Sequence, residues 1–322
     1  MQLTADKKLN NRKPKMGGKA KRNIFIILML AYPVIQFIVF WGAVNINTII
    51  MTFQRQVITI SEGDYSISTN FSGFQNYGMV FRNILNDEFT QRRLINSLLY
   101  MPVNSFIILP LSLIFSYFLA KKVPLSNFFR VVFFLPSILP IVVLTMSFGL
   151  TLDPTFGPIN SILKSLFGEE YIPPSWFGFN NWPLNQTMIL VYCTWAGLGA
   201  NIVLLNGAIS RIPQEIIEYG KLEGISYTKE FLHVVIPMIW PTIATTFMLG
   251  CTAVFIIMMQ PMLLTPIDPS TDTIALMIYN SVYSNGDSFY TATFGVVLSL
   301  IGAPIILLIR KFMLSRYKDV EY

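Results

Sequence analysis

The chain has 322 residues, of which 53% are hydrophobic and 12% are charged, and its mean hydropathy is +0.55. Soluble globular domains carry about 25% charged residues, so the composition excludes an ordinary soluble domain and predicts a membrane protein. The net charge of +6 does not indicate nucleic-acid binding, because the positive residues cluster at the boundaries of apolar runs.

The first predicted element is a basic tail over residues 1–22, which contains eight Lys and Arg residues. Basic segments are attracted to anionic membrane lipid, and we expect this tail to lie beside a transmembrane domain over 23–322. The alternative is a secretory signal peptide. However, the apolar run that follows, 24–44, is longer than a signal-peptide core and lacks a clear small-residue cleavage site.

Uncharged apolar runs recur along the rest of the chain. Each run reaches the ~20 residues that a helix needs to cross about 30 Å of hydrocarbon. The runs are continuous rather than alternating, which favours helices over the strands of a barrel. The sequence therefore predicts an all-α membrane protein with six transmembrane helices, over 24–44, 94–120, 131–152, 184–210, 238–264 and 289–309.

The distribution of positive charge predicts the orientation of these helices. If the N-terminus is cytoplasmic, 18 of the 23 Lys and Arg residues fall on inside segments and five on outside segments. Such an excess marks the cytoplasmic side of a membrane protein. Both termini are therefore expected in the cytoplasm, together with the polar stretch 211–237 between the fourth and fifth helices.

The stretch 211–237 is predicted to form a helix, a turn and a second short helix. Pro213 suits the first turn of a helix, Gly224 suits the left-handed residue that ends one, and Ser226 can cap the next helix. A compact helical hairpin favours a docking element, and a plain connecting loop is the alternative. The apolar residues expected to form the stripe of the first helix or to pack on the bundle are Ile216, Ile217, Leu222, Phe231, Val234 and Val235.

The same stretch resembles the EAA loop of permease subunits of ATP-binding cassette importers. That motif is Glu-Ala-Ala, then Gly, then Ile-x-Leu-Pro, and this chain has Glu218-Tyr219-Gly220, Gly224 and Val234-x-Ile236-Pro237 at the same spacing. Tyr219 and Gly220 replace the alanines, and Glu223 replaces the usual Asp. The resemblance implies that the loop inserts into a cleft of a cytoplasmic ATPase subunit and transmits its closure. The implied coupling residues are Glu218, Tyr219, Gly220, Glu223, Gly224 and Pro237.

Further motifs resemble the maltose-type permeases of the carbohydrate-uptake branch, and they cover roughly residues 20–322. In order they are Phe71-Ser-Gly-Phe-Gln-Asn-Tyr77, Asn96-Ser-Leu-Leu-Tyr100, Phe128-Phe-Arg-Val-Val-Phe-Phe-Leu-Pro136, Asp153-Pro-Thr-Phe-Gly-Pro-Ile-Asn160 and Trp195-Ala-Gly-Leu-Gly199. One departure is that Leu264-Thr-Pro-Ile-Asp-Pro-Ser-Thr271 occupies the place of a Gly-Gly-Gly-Pro segment. The resemblance implies a multi-pass protein of the bacterial plasma membrane. Its partners would be a second permease, two ATPase subunits, an extracellular solute-binding protein and an oligosaccharide.

The sequence contains no phosphate-binding Gly-x-x-x-x-Gly-Lys-Ser/Thr motif. ATP and Mg²⁺ are therefore expected on the partner ATPase subunits, and this chain is expected to have no cofactor, metal site or catalytic residue. A proton-coupled carrier usually has an ionisable residue within its spans, so the uncharged runs disfavour that function and suit a neutral substrate. An importer for another solute, a stand-alone secondary carrier and a membrane scaffold or enzyme remain as alternatives.

Polar side chains inside the predicted helices are candidates for a substrate path. The alternative for each is hydrogen bonding between helices, which is common for polar residues in membrane bundles. Cys193 and Cys251 are expected to be buried as small hydrophobic residues. The path candidates are Tyr192, Asn201, Asn206, Thr252 and Gln260.

Overall fold

The computed structural model describes residues 18–61, 64–168, 170–285 and 288–315, so most of the basic tail lies outside the described residues. Helices dominate the described part of the chain, as predicted. In chain order the elements are α1 (Lys21–Thr52), β1 (Gln54–Ser61), β2 (Asp64–Phe71), α2 (Gln75–Asn86), α3 (Glu88–Ala120), α4 (Ser126–Ile138), α5 (Ile141–Thr151), α6 (Pro158–Phe167), α7 (Leu184–Ile209), α8 (Gln214–Leu222), α9 (Tyr227–Met238), α10 (Trp240–Phe255), α11 (Met259–Leu264), α12 (Ile274–Tyr283) and α13 (Ser288–Ser315).

Four described helices, α1, α3, α7 and α13, are long and apolar enough to cross a membrane by themselves. Six spans are reached only if the bent pairs α4–α5 and α9–α10 are each counted as one span. The prediction of six continuous helices is therefore wrong for the runs 131–152 and 238–264, which the structure breaks.

Prolines explain where the two runs break. The axes of α4 and α5 differ by 106°, and Leu139 between them is extended with ψ 143°. Leu139 precedes Pro140, and the residue before a proline is driven out of the helical region. The axes of α9 and α10 differ by 77° at Ile239, which lies between Pro237 and Pro241. The same run breaks again after Phe255, so α11 is separate from α10.

A β-hairpin follows α1, and it departs from the predicted all-α fold. Strands β1 and β2 pair antiparallel, with Gln54 opposite Phe71. Asn76 attaches the base of the hairpin to the end of α1, because its Nδ2 donates to the carbonyl oxygens of Thr52 at 3.0 Å and Gln54 at 2.8 Å. The Phe71–Tyr77 motif thus has a structural role at this junction.

Helix α7 lies at the centre of the bundle and packs against both α3 and α4. Gly199 makes the approach of α4 possible, since a Cβ at this position would lie 2.4 Å from the backbone oxygen of Phe133. Cys193 and Cys251 are buried, as predicted. By contrast, no residue in the most apolar window of α1 is buried by other described residues, and α1 contacts α13 through its last part.

Candidate functional site

The turn between α8 and α9 is built as the sequence predicts. Gly224 has a left-handed φ of +70°. Its N–H donates to the carbonyl oxygen of Lys221 at 3.1 Å, and the N–H of Ile225 donates to that of Gly220 at 3.2 Å. These bonds define a Schellman motif. Ile225 folds back onto Gly220, where a Cβ would lie 2.7 Å from Ile225 Cδ1, so a small residue fits this position.

The two helices of the hairpin begin with different caps. The Ser226 hydroxyl accepts a hydrogen bond from the N–H of Lys229 at 3.4 Å, so the predicted cap of the second helix is confirmed. Pro213 lies one position earlier than expected, because it is the N-cap residue of α8 with ψ 131°. The second helix is also longer than expected and continues to the bend before α10.

The tip of the hairpin carries three exposed candidates for coupling. Glu218, Tyr219 and Glu223 are exposed, and Tyr219 keeps 64% of its surface free. The carboxylate of Glu218 accepts a hydrogen bond from Gln214 Nε2 at 2.6 Å. Exposed apolar and acidic side chains therefore share this surface.

Leu222 is 87% exposed and does not share a face with Ile217, so its predicted place in the apolar stripe of the first helix is wrong. Ile217 does pack against the core cluster around Leu205 and Val235. On an α-helix, side chains five positions apart point about 140° away from each other around the axis. Leu222 consequently faces away from the bundle when Ile217 faces toward it.

Helix α9 attaches the hairpin to the rest of the bundle. Val235 is fully buried, and the ring of Phe231 lies 5.0 Å from that of Tyr117 in α3. The Tyr117 hydroxyl donates to the carbonyl oxygen of Tyr227 at 3.2 Å. Pro237 is distant from the hairpin tip along α9 and lies beside the bend to α10, so the structure separates it from the other coupling candidates.

A cavity of about 300 Å³ lies where the two broken runs meet α3 and α7. Irregular backbone at membrane depth is tolerated only where it is buried in protein or lines a water-filled cavity. Leu139 at the break of the first run and Ile257 at the break after Phe255 contribute to this lining, which also includes Asn104 from a π-helical turn of α3. The lining residues are Asn104, Pro136, Ser137, Leu139, Ile141, Leu144, Tyr192, Cys193, Ala196, Gly197, Ile257 and Gln260.

The structure brings two of the five path candidates, Tyr192 and Gln260, to this cavity. Tyr192 is oriented by a hydrogen bond of 2.7 Å between its hydroxyl and that of Thr145. Sequence reasoning missed Asn104 and Ser137, which also present polar groups here. Asn104 could have been found, because it is an amide within an uncharged apolar run.

The other three candidates do not line the cavity. Asn201 donates to the carbonyl oxygen of Gly197 at 3.0 Å, and Thr252 donates to that of Leu249 at 2.7 Å, so both bond within their own helices. Asn206 has a buried Oδ1 without a hydrogen bond from a described residue. These three residues therefore lie away from this cavity, and their place on a substrate path stays a prediction.

The segment that replaces the Gly-Gly-Gly-Pro sequence is a tightly bonded loop centred on Asp268, which is 2% exposed. Its carboxylate accepts hydrogen bonds from Asn185 Nδ2 at 2.7 Å, from the Asn180 N–H at 3.1 Å, and from the N–H and hydroxyl of Ser270, each at 2.9 Å. Asp272 follows in the same loop, and burial raises its pKa although the nearby Arg93 acts in the opposite direction.

The fold defines the class of protein as a helical multi-pass membrane protein with an exposed hairpin between two candidate spans. Residues 108–315 match the family described as binding-protein-dependent transport system inner membrane component. The chain belongs to this family and is a permease subunit of an ABC transporter, which is a transport component and not an enzyme.

Relatives and a solved structure extend the likeness beyond the matched segment. The chain is 26% identical over 274 residues to the arabinooligosaccharides transport system permease protein AraP of Bacillus subtilis (strain 168), over 83% of this chain and 82% of AraP. It is 24% identical over 192 residues to the diacetylchitobiose uptake system permease protein NgcF of Streptomyces coelicolor, over 58% and 54%. A chain of the bacterial alginate ABC transporter, solved with an alginate pentasaccharide-bound periplasmic protein, has the same fold. Its TM-score is 0.78 at 17% identity, over 94% of this chain and 98% of that chain.

Proposed function

We propose that this chain is one permease subunit of an ATP-driven importer that carries a neutral oligosaccharide across the bacterial plasma membrane. In this proposal it works with a second permease, two cytoplasmic ATPase subunits and an extracellular solute-binding protein. ATP and Mg²⁺ bind to the ATPase subunits. The periplasmic protein in the alginate transporter structure supports a binding protein as a partner.

The observation that carries the proposed substrate is the uncharged cavity between the broken runs. Among the described residues that line it, none is charged, while Asn104, Ser137, Tyr192 and Gln260 offer hydrogen-bonding groups. Amides and an aromatic ring suit the hydroxyl groups and apolar ring faces of a sugar. The described lining offers no Lys or Arg to pair with the carboxylate of an acidic sugar, so the cavity favours a neutral sugar. The arabinooligosaccharides and the diacetylchitobiose for which AraP and NgcF are named support an oligosaccharide.

The exposed face of the α8–α9 hairpin supports a docking site for an ATPase subunit. Glu218, Tyr219 and Glu223 are free to contact a partner, and the Schellman turn at Gly224 fixes the direction of that face. The excess of positive residues on the same side of the predicted spans supports a cytoplasmic hairpin and cytoplasmic termini. ATP binding can then drive transport if it favours one conformation of the permease over another.

Reconstitution tests this function directly. The tagged chain is purified from its native membrane in mild detergent, the co-purifying ATPase subunit and second permease are identified, and the complex is placed in liposomes with the solute-binding protein. We expect ATP-dependent uptake of a neutral oligosaccharide. Uptake of an amino acid, a peptide or phosphate instead would identify an importer for another solute.

A stand-alone secondary carrier is the second candidate function. Its support is limited to the cavity between the broken runs, which a carrier could also use for its substrate. It predicts uptake without an ATPase subunit and loss of uptake when a protonophore is added at constant ATP. Membership of a binding-protein-dependent family argues against it.

A further inference from the structure

A buried ion pair joins the hairpin to the end of α3. Lys121 follows the last residue of α3, and its ammonium group contacts the carboxylate of Glu230 in α9, with the two side chains 19% and 3% exposed. The rings of Tyr117 and Tyr227 have their centroids 5.5 Å and 5.6 Å from Lys121 Nζ. Two aromatic rings and one carboxylate therefore surround a single cation.

The two charges depend on each other. Among the described residues, no hydrogen bond reaches Lys121 Nζ or Glu230 Oε1 apart from their mutual contact. The Tyr117 phenol lies close enough to interact electrostatically with the Glu230 carboxylate. Removing one partner of such a pair leaves an uncompensated buried charge, whereas replacing both with apolar residues is often tolerated. The contribution of the interaction itself can therefore be separated from that of packing by comparing single and double substitutions.

The connection is made to one helix of the hairpin only. A cavity of about 350 Å³ separates much of α8 from α3, and Ile217, Glu218 and Lys221 line its α8 side. Helix α9 instead contacts α3 through the ion pair and through the Tyr117 bond to Tyr227. A force applied to the exposed tip on α8 therefore has a polar route to α3 through α9, in addition to the packing of Ile217 on the core of the bundle.

Helix α3 leads from this connection to the cavity and to the Asp268 loop. Asn104, midway along α3, lines the cavity between the broken runs. Near the other end, Arg93 forms an ion pair with Asp272 at 3.2 Å, and Asn96 Nδ2 donates to the carbonyl oxygen of Ser270 at 2.8 Å. One helix of 33 residues thus contacts the hairpin, the cavity and the loop.

We propose that Lys121 and Glu230 are positioning residues that transmit motion of the hairpin to α3, and through α3 to the cavity and the Asp268 loop. This inference rests on the proposed function, because it takes the hairpin as the site where an ATPase subunit acts. It adds a specific intramolecular joint that the docking residues at the tip do not supply. The rival explanation is that the two side chains only fill space between α3 and α9.

The test measures how many ATP molecules the complex hydrolyses for each oligosaccharide imported in liposomes. Glu230→Gln should raise this ratio about fivefold or more, at the low end of couplings between distant sites, while the ATPase subunit still co-purifies. The exchanged pair, Lys121→Glu with Glu230→Lys, should return the ratio to within about twofold of wild type, as expected when the interaction itself is restored. Lys122→Met is the matched control, because this neighbouring lysine is exposed, and its ratio should be unchanged.

A double apolar variant, Lys121→Met with Glu230→Met, distinguishes transmission of motion from the hairpin to α3 from simple filling of the space between α3 and α9. It contains no lone buried charge and should assemble even if Glu230→Gln does not, and we expect its ratio to be raised. The proposal would be overturned if this variant, or an assembled Glu230→Gln complex, hydrolysed as little ATP per imported oligosaccharide as wild type. It would also be overturned if the exchanged pair hydrolysed as much ATP per imported oligosaccharide as Glu230→Gln does. A wild-type complex that imports no oligosaccharide with ATP would instead refute the proposed function, independently of the joint.

Discussion

Replacing Gly224 with Val should weaken docking of the ATPase subunit through backbone strain alone. Gly224 has φ +70°, and a Cβ there would meet no heavy atom within 4 Å, so the Cβ itself causes no clash. The cost is that of a left-handed conformation for an L-residue, about 1–2 kcal/mol. That cost corresponds to about a 5–30-fold loss in the population of the correct turn. We expect a loss of this order in the ATPase subunit that co-purifies, together with lower ATP-dependent uptake.

The assay compares variants at equal amounts of membrane-inserted permease, so that a folding defect is not mistaken for a docking defect. Gly224→Asn is the matched control, because asparagine tolerates the left-handed region, and it should retain most of the docking. Wild-type docking and uptake for Gly224→Val would refute the reasoning. A loss with Gly224→Asn as large as that with Gly224→Val would also refute it, because the side chain rather than the backbone would then be responsible.

Three further predictions test orientation, substrate path and stability. A cysteine at the exposed position Asn70 should react with an impermeant thiol reagent added outside intact cells, whereas one at Thr228 should react only after the membrane is opened; the reverse pattern would invert the proposed topology. Gln260→Leu should lower oligosaccharide uptake at least about tenfold, the effect of losing about 1.4 kcal/mol of hydrogen bonding, without changing assembly; unchanged uptake would remove this residue from the path. Asp87→Ala should destabilise the protein in detergent by about 1 kcal/mol at neutral pH through loss of the α3 cap. The hydrogen bond from Thr90 lowers the pKa of Asp87 below its ordinary value of 3.8. The stabilisation by the cap is therefore present above pH 3.8 and disappears as the pH falls through the lowered pKa. If the melting temperatures of wild type and Asp87→Ala differed by as much in strong acid as at about pH 7, this reasoning would be contradicted.

Local patterns predicted the hairpin well because its signals act over a few residues. The left-handed Gly224 and the cap at Ser226 depend on backbone geometry within one turn, and both are confirmed. Leu222 was misplaced because hydrophobicity alone does not specify which face of a short helix touches the bundle. The ion pair between Lys121 and Glu230 joins residues 109 positions apart, and a single sequence offers no signal for that pairing.

The length of the apolar runs predicted a helical membrane protein, but it did not predict which helices are broken. A continuous apolar run satisfies the length criterion whether the helix is straight or broken, so the run around Pro140 was read as one span. The proline and the extended Leu139 before it were the available signal for a break. The β-hairpin was missed for a different reason, since strands β1 and β2 lie outside the apolar runs and outside 211–237, where no secondary structure was predicted.

The separation of some path candidates from the cavity follows from how buried amides are used in this fold. An amide inside an apolar run must find a partner, and the nearest one is often a carbonyl oxygen of its own helix, as at Asn201. Asn76 donates to two backbone carbonyl oxygens at the junction of α1 and β1, and Asn96 donates to two in the Asp268 loop. Both amides therefore hold together elements that are distant in sequence. Gln260 differs because it lies in the first turn of α11, directly after the non-helical residues Ile257 and Met258, and lines the cavity. Asn104 and Gln260 therefore reach the cavity from a π-helical turn and from beside a helix break, so irregular backbone adds to the signal that a polar residue gives, whereas Tyr192 reaches the same cavity from the regular helix α7.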